Sequence, residues 1–383
     1  MLAFKVRVCC FGILFLLASC IQTVAADIEK LGHKWFQKHG QVFGAKPGHL
    51  GPIGGGAGYK RIVLGGDYNV KDVDGLVEAL KEAKAGQVIF IDGDVELDVT
   101  DLVFTVKFFF MLRGGLTLAS NRGHNGSKGA ILRSGHFSTA PLLNVLGLNA
   151  RITGLRIIGP DPKPRLEHHR RAFQPQRGDR KAQRRYYSRF PNSRGIQTKH
   201  GFLEVDNCEL RGWSHAAIYL MGGDNHHIHH NYIHHNQRNG LGYGVVLGYG
   251  KNISSLIEYN LFDYNRHSIA GTGVPGNSYE ARNNVELGES LGHNFDMHGG
   301  SDRKDGSITA GTKILIHHNT FMNPQVRPVA IRGKPQDEAR IYNNWFAQEK
   351  PGPNVLKPWP PGPESNVLLY NNAFGRPNPV LFK

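Results

Sequence analysis

Six short units recur along the second half of the chain: IHHNYI (228–233), IEYNLF (257–262), ARNNVEL (281–287), IHHNTF (316–321), IYNNWF (341–346) and LYNNAF (369–374). Their asparagines, Asn231, Asn260, Asn284, Asn319, Asn344 and Asn372, lie 29, 24, 35, 25 and 28 residues apart. Spacing of this size predicts a solenoid, because one unit cannot bury its own apolar face and must stack on copies of itself. Each interval holds one three-strand coil with its turns. Asparagine suits the turn: it tolerates left-handed backbone, and its amide can donate to the next copy of itself. The alternating aliphatic residues fill the core.

These units resemble the I-x-N-N-x-I periods of the pectate-lyase-like superfamily, over roughly residues 67–383. The passage VDGLVEALKEAKAGQVIFIDGDVELD (73–98) is also similar to the helix-then-first-coil entry of the alginate lyase and chondroitinase B-like lyases. The resemblance implies an all-β, right-handed parallel β-helix with a short N-terminal capping helix, in a chain that acts on polysaccharide. The catalytic pattern of those lyases is not matched, so none of their catalytic residues is carried over. The helix is expected over 74–85, with Leu76, Leu80 and Ala83 on one face, Asp74 as N-cap and Gly86 as the stop.

The chain opens with an export pattern. Lys5 and Arg7 precede the apolar run 8–17, as in a signal peptide. Two cleavage readings stay open: a lipobox ending at Cys20, leaving a lipid-anchored protein, or ordinary cleavage after Ala26, leaving a soluble one. Either way the expectation is an exported protein, periplasmic, extracellular or on the outer membrane, with membrane attachment only through Cys20. Three of the four cysteines lie in this segment, so only Cys208 remains and no intramolecular disulfide framework is expected. Residues 27–66 read as a lead-in whose Gly-rich stretch GHLGPIGGGAGYK lacks the ending of a P-loop and is expected to be flexible.

The formal charge of +15 is unevenly spread. An insertion at 160–199 breaks the repeat register and carries 12 Lys and Arg against Asp161, Glu167 and Asp179, a net of +9. Arg170, Arg171, Arg184 and Arg185, interleaved with Tyr186 and Tyr187, are candidate substrate contacts: guanidinium forks bind carboxylates or sulfates, and aromatic faces stack on sugars. Nucleic acid could use the same groups, but an exported solenoid favours sugar acids, so no nucleic acid partner is expected.

Aligning the strand that follows each Asn turn gives GYGVVLG, RHSIAGTG, GHNFDMHGG and RPVAIRG, with Val245, Ile269, Phe295 and Val329 inward. Two residues earlier stand Tyr243, His267, His293 and Arg327, a polar column repeating at the ~4.8 Å spacing of neighbouring strands. Period two then points Asp296, His298 and Arg332 to solvent. Uronate elimination needs a cation to neutralise the carboxylate, a base for the C5 proton and an acid for the leaving oxygen. Arg332 and Arg327 would neutralise, His298 or His293 would act as base, with His267 in the same column, Tyr243 would deliver a proton and Asp296 would orient an imidazole. Glu280, Arg282, Asp302 and Arg303 are candidate substrate contacts or plain surface ion pairs.

His229, His230, His234, His235, His317 and His318 coincide with Asn turns and are read as turn and ladder residues. A metal reading of HHIHHNYIHHN has no Cys partners and no fixed ligand spacing behind it. The sequence requires no cofactor; no Asp-rich calcium loop is evident, and calcium dependence stays open. Three functions compete: a lyase acting on an acidic polysaccharide, a glycoside hydrolase pairing Asp296 with Asp302 or Glu280, and a non-catalytic polysaccharide-binding surface protein.

Overall fold

The computed structural model describes residues 34–107, 109–161, 179, 181–182, 189, 191–238, 240–288, 290 and 292–375. The export segment with Cys20 lies outside the described residues, as do Arg170, Arg171, Arg184, Arg185, Tyr186 and Tyr187. Three parallel sheets of eleven, ten and nine strands run along the chain, and each coil visits them in turn. One coil shows the plan: His226–His229 in the first sheet, Tyr232–His234 in the second and Tyr243–Leu247 in the third. This is the parallel β-helix that the repeat units predict, with the right-handed sense usual for parallel crossovers. Among the described residues no helix is long and apolar enough to cross a membrane.

The inward columns follow the repeat. In the first sheet Val205, Ile228, Ile257, Ala281, Ile316 and Ile341 pair in register and are fully buried. In the second, Leu210, Ile233, Phe262, Phe321, Phe346 and Phe374 form the corresponding stack, interrupted by Glu286 between Phe262 and Phe321. Burying such side chains contributes roughly 1.5–3 kcal/mol each, and here the gain accrues coil by coil.

The capping helix spans Val73–Glu82. Its N-cap is Asp72, not Asp74: Asp72 is extended and its carboxylate accepts from Gly75 N at 2.8 Å. Asp74 sits inside the first turn, where a negative charge complements the helix dipole. Leu76 and Leu80 are buried as expected. A second short helix, Thr100–Val106, was not foreseen.

The six asparagines stack as a ladder. Each side-chain amide donates to the next asparagine's Oδ1, from Asn231 to Asn260 (3.0 Å), on to Asn284 (3.1 Å), Asn319 (3.0 Å), Asn344 (3.0 Å) and Asn372 (3.1 Å). The left-handed residue is the one before each asparagine: His230, Tyr259, Asn283, His318, Asn343 and Asn371 have φ between 48° and 54°. The asparagines are therefore selected for hydrogen bonding, and their predecessors carry the unusual backbone.

The lead-in does not hang free. Residues 34–61 run lengthwise over these turns. Asn371 donates to Gln41 Oε1 (2.7 Å), Gly44 N to Asn343 O (3.1 Å), Gly54 N to Tyr259 O (2.9 Å) and Gly56 N to Asn207 Oδ1 (2.7 Å). Tyr59 then donates to Asp206 (2.7 Å). Glycine is required for this close approach: a Cβ on Gly55 would lie 2.4 Å from the His230 carbonyl.

Candidate active site

The site lies on the outer face of the third sheet. Val245, Ile269, Phe295 and Val329 pair in the register read from the sequence, and all four are fully buried. Strict alternation would put the residues two places earlier on the same inward side. A bulge prevents this. The amides of Ser268 and Ile269 both donate to the Asn294 carbonyl (2.9 and 3.2 Å), and those of Arg266 and His267 both to Gly242 (3.0 and 3.2 Å). The extra residue reverses the facing of what precedes it. Tyr243 accordingly packs with Val246 and Ala270 on the outer face, and His267 and His293 arrive beside Asp296.

Glu286 holds this bulge from the inside. Its Oε2 accepts from Asn294 Nδ2 at 3.0 Å and the Ser268 hydroxyl also bonds the carboxyl. Burial raises its pKa to about 8, so the side chain stays protonated at neutral pH.

Asp296 projects outward, as expected, but is 0% exposed, because its neighbours cover it. Arg332 grips it in two-point fashion, Nε to Oδ1 at 3.0 Å and Nη2 to Oδ2 at 2.8 Å, and donates from Nη1 to Asp302 at 3.0 Å. Three imidazoles complete the ring. Nε2 of His298, His267 and His293 lies 2.9, 3.5 and 3.7 Å from the nearest carboxylate oxygen. Burial alone would push the Asp296 carboxyl up, but the His298 contact and the Arg332 charge outweigh it and hold the group well below the usual carboxylate range. It is an anion at every working pH.

Burial and the neighbouring Arg266 push His267 well below its ordinary value, and burial takes His293 down to about 4 against the pull of Asp296. Both rings are neutral at pH 7. The side chains of His293 and His298 are each 21% exposed and that of Arg332 is 19% exposed, so these three form the accessible rim. His267 is buried, with its ring stacked on His293 at 4.5 Å.

The remaining candidates divide. The Tyr243 hydroxyl is committed to the Gly240 carbonyl (3.1 Å) and its ring stacks on His267 (5.9 Å), so it walls the site rather than donating into it. Arg327 donates to the Pro353 carbonyl at 2.8 Å. Arg303 is a structural anchor for its loop, bonding Thr272 O, Thr309 O, Ser307 and Asp305, with a 5% exposed side chain. Glu280 and Arg282 pair with each other on the first sheet, where Glu280 lines a separate 520 Å³ cleft with His227, Ser255 and Lys313.

A second 520 Å³ cleft opens beside Arg332 and Asp302 and carries Lys334 and Lys357. Sequence reasoning missed both lysines, which leave the third sheet at strand ends where no repeat marks them. The bulge did leave a trace. Gly244, Ser268 and Asn294, all small or polar, stand directly before the inward residues.

The grouped histidines elsewhere behave as turn residues. His230, His235 and His318 have left-handed backbone, and each pairs Nδ1 to Nδ1 with the preceding histidine (2.9, 2.5 and 2.8 Å).

No protein-family model and no curated protein matches the chain. Among solved structures, it is similar to an alginate lyase from Paenibacillus sp. str. FPU-7, with 15% identity and a TM-score of 0.39 over 80% of this chain and 98% of that one. It is also similar to a family 28 exopolygalacturonase from Yersinia enterocolitica, with 14% identity and a TM-score of 0.47 over 79% of this chain and 62% of that one.

Proposed function

We propose that this chain is a carbohydrate-active enzyme that cleaves an acidic polysaccharide by β-elimination at the Asp296 centre. The observation that carries the reading is the rim itself: His293, His298 and Arg332 gathered around a buried, ionised carboxylate, with Arg332 also lining a cleft that adds Lys334 and Lys357. A glycoside hydrolase needs one carboxylic acid that stays protonated to meet the leaving oxygen. Asp296 is held as an anion by its neighbours, Asp302 is committed to the same guanidinium, and Glu280 belongs to another sheet. Elimination uses what is present.

In this reading the uronate carboxylate docks against the unused Arg332 N–H groups and the cleft lysines, which acidifies the C5 proton. With its Nε2 side turned to Asp296, His298 accepts that proton on Nδ1, and Asp296 stabilises the imidazolium. The C5–H electron pair forms the C4–C5 double bond, the C4–O4 bond breaks, and His298 returns the proton to O4. The basic insertion adds long-range attraction for the same polyanion. Export, by either cleavage of the leader, belongs to this proposal.

The test is to incubate the chain lacking residues 1–26 with a panel of uronate and sulfated polysaccharides while following absorbance of the unsaturated product. New reducing ends without that chromophore would replace elimination by hydrolysis. Retention of polysaccharide with no cleavage would leave a binding solenoid.

A further inference from the structure

Three donor groups at the centre of the site stand close together without bonding one another. One ring nitrogen each of His267 and His293 and a carboxylate oxygen of Asp296 all lie within 4.8 Å of each other. His267 Nε2 lies 3.5 Å from Oδ2 and His293 Nε2 3.7 Å from Oδ1, each a shade wider than the edges of a coordination polyhedron, which for metal–nitrogen arms of ~2.0–2.1 Å come to ~2.9–3.4 Å. Neither Nε2 has a hydrogen-bond partner among the described residues, although His267 is 1% exposed. The rings stand beside the carboxylate but do not aim at it. Ligands of one ion do the same, since each lone pair points at the centre and not along an edge.

The protonation pattern agrees. His267 Nδ1 lies 2.5 Å from the His293 carbonyl oxygen, an acceptor only, so the ring proton sits on Nδ1 and Nε2 carries a lone pair. A lone pair held in a dry site against an anion is repulsive unless a cation lies between them. A backbone carbonyl fixing the far nitrogen is also how metal-bound histidines are usually oriented. Arg332 does not block the site: its fork takes one lone pair from each Asp296 oxygen, and although His298 Nε2 meets Oδ2 at 2.9 Å, the second lone pair of Oδ1 is left for an ion.

The other convergence of acidic and imidazole groups, Glu204 with His227 and His229, differs. His227 Nε2 meets Glu258 at 2.9 Å, His229 Nε2 meets Glu204 at 3.0 Å, and Glu204 also holds Arg61. Its donors are already spent on each other.

We infer that His267, His293 and Asp296 bind one divalent first-row transition-metal ion of the zinc type, with its open positions facing His298 and the cleft. Two imidazoles and one carboxylate suit such an ion better than calcium or magnesium, which prefer oxygen ligands. Three protein ligands with an open position is the arrangement of sites that act on a substrate rather than brace a fold. The use of the ion in catalysis, though not its binding, rests on the elimination reading: there it would neutralise the uronate carboxylate beside Arg332.

The experiment strips the full chain with a chelator, dialyses it against Zn²⁺ and counts metal by mass spectrometry, with Co²⁺ loading as a visible-spectrum readout of imidazole ligation. One ion per chain is expected. Affinity should fall at least tenfold in His293→Gln and His267→Ala, while His227→Ala leaves it unchanged. Because removing the buried His267 ring also tests folding, His293→Gln, with folding checked by circular dichroism, decides. Binding below one tenth of an ion per chain, a cobalt spectrum indifferent to His293→Gln, or loss in His227→Ala would each overturn the site. Stoichiometric zinc with no turnover of any polysaccharide upholds the site and discards elimination. Turnover that persists in metal-free protein unable to rebind zinc does the reverse.

Discussion

Glu286→Gln separates a buried neutral acid from a solvated one, and its effect can be worked out beforehand. The carboxyl replaces a phenyl ring in the second-sheet stack, is 4% exposed, and has its pKa raised from 4.5 to about 8 by burial. Between those values the folded chain keeps a proton that the unfolded chain releases. The contribution of this group to stability is therefore fully present below about pH 4.5, declines as pH rises through the window and levels off above about 8. At about 1.4 kcal/mol per unit, ionisation of the unfolded state costs about 3 kcal/mol at pH 7 and about 5 kcal/mol across the whole window. Glutamine has nothing to ionise and can still accept from Asn294. It should match the parent at pH 4.5, allowing ~1 kcal/mol for altered hydrogen bonding, and exceed it by about 2–3 kcal/mol at pH 7–8. Thermal midpoints and hydrogen exchange of the 285–297 segment, taken at pH 5 and pH 8, read this directly. If parent and variant lose stability equally between those pH values, the carboxyl is not held neutral and the argument fails.

Asn284→Ala removes four buried hydrogen bonds, to Ile257 O, Asn319 Oδ1, Asn260 N and Asn260 Nδ2. It should cost about 4 kcal/mol in thermal or denaturant unfolding, against about 1 kcal/mol for Asn372→Ala, where water reaches the orphaned groups. Equal costs would show that burial does not set the value of a ladder amide. His298→Ala and Arg332→Ala should each lower turnover at least ~100-fold with unchanged circular dichroism, and Arg332→Lys should not rescue, because a lysine cannot reproduce the fork on Asp296. Full activity in both alanine variants would remove the centre. Lys334→Glu and Lys357→Glu should each raise KM and lower kcat several-fold at low salt, and the difference should shrink as ionic strength rises. A KM that ignores salt would argue against an acidic substrate in this cleft.

The solenoid was legible because its signals are local and repeated: an aliphatic residue, an asparagine and an apolar pair, six times. The inward register of the third sheet followed from the same regularity. The site was only partly legible, because its assembly depends on a departure from regularity. Period two places His267 and His293 in the core; a bulge at Ser268 and Asn294, held by a glutamate in an apolar column, brings them out to Asp296. The proton-donor role read for Tyr243 assumed a free hydroxyl, and the Gly240 carbonyl beside it is a backbone group that no side-chain pattern displays. Arg303 was read as a substrate contact or a surface ion pair, but it ties down its loop through backbone carbonyls that the sequence does not display.

The N-terminal segment laid along the turns changes how such a molecule comes apart. A stack in which each coil touches only its neighbours can fray from either end. Here Gln41 is tied to Asn371, 330 positions away in sequence, while Tyr59 is tied to Asp206, so a single ribbon clamps the final coils to the middle of the stack. Opening the last coil means peeling the ribbon as well, which couples distant coils into one melting unit. The order of synthesis adds a delay: the ribbon emerges first but has no complete seat until the last asparagine has been made. During that interval the chain stays unlocked. The ribbon is fully seated only once the coil carrying Asn371 exists.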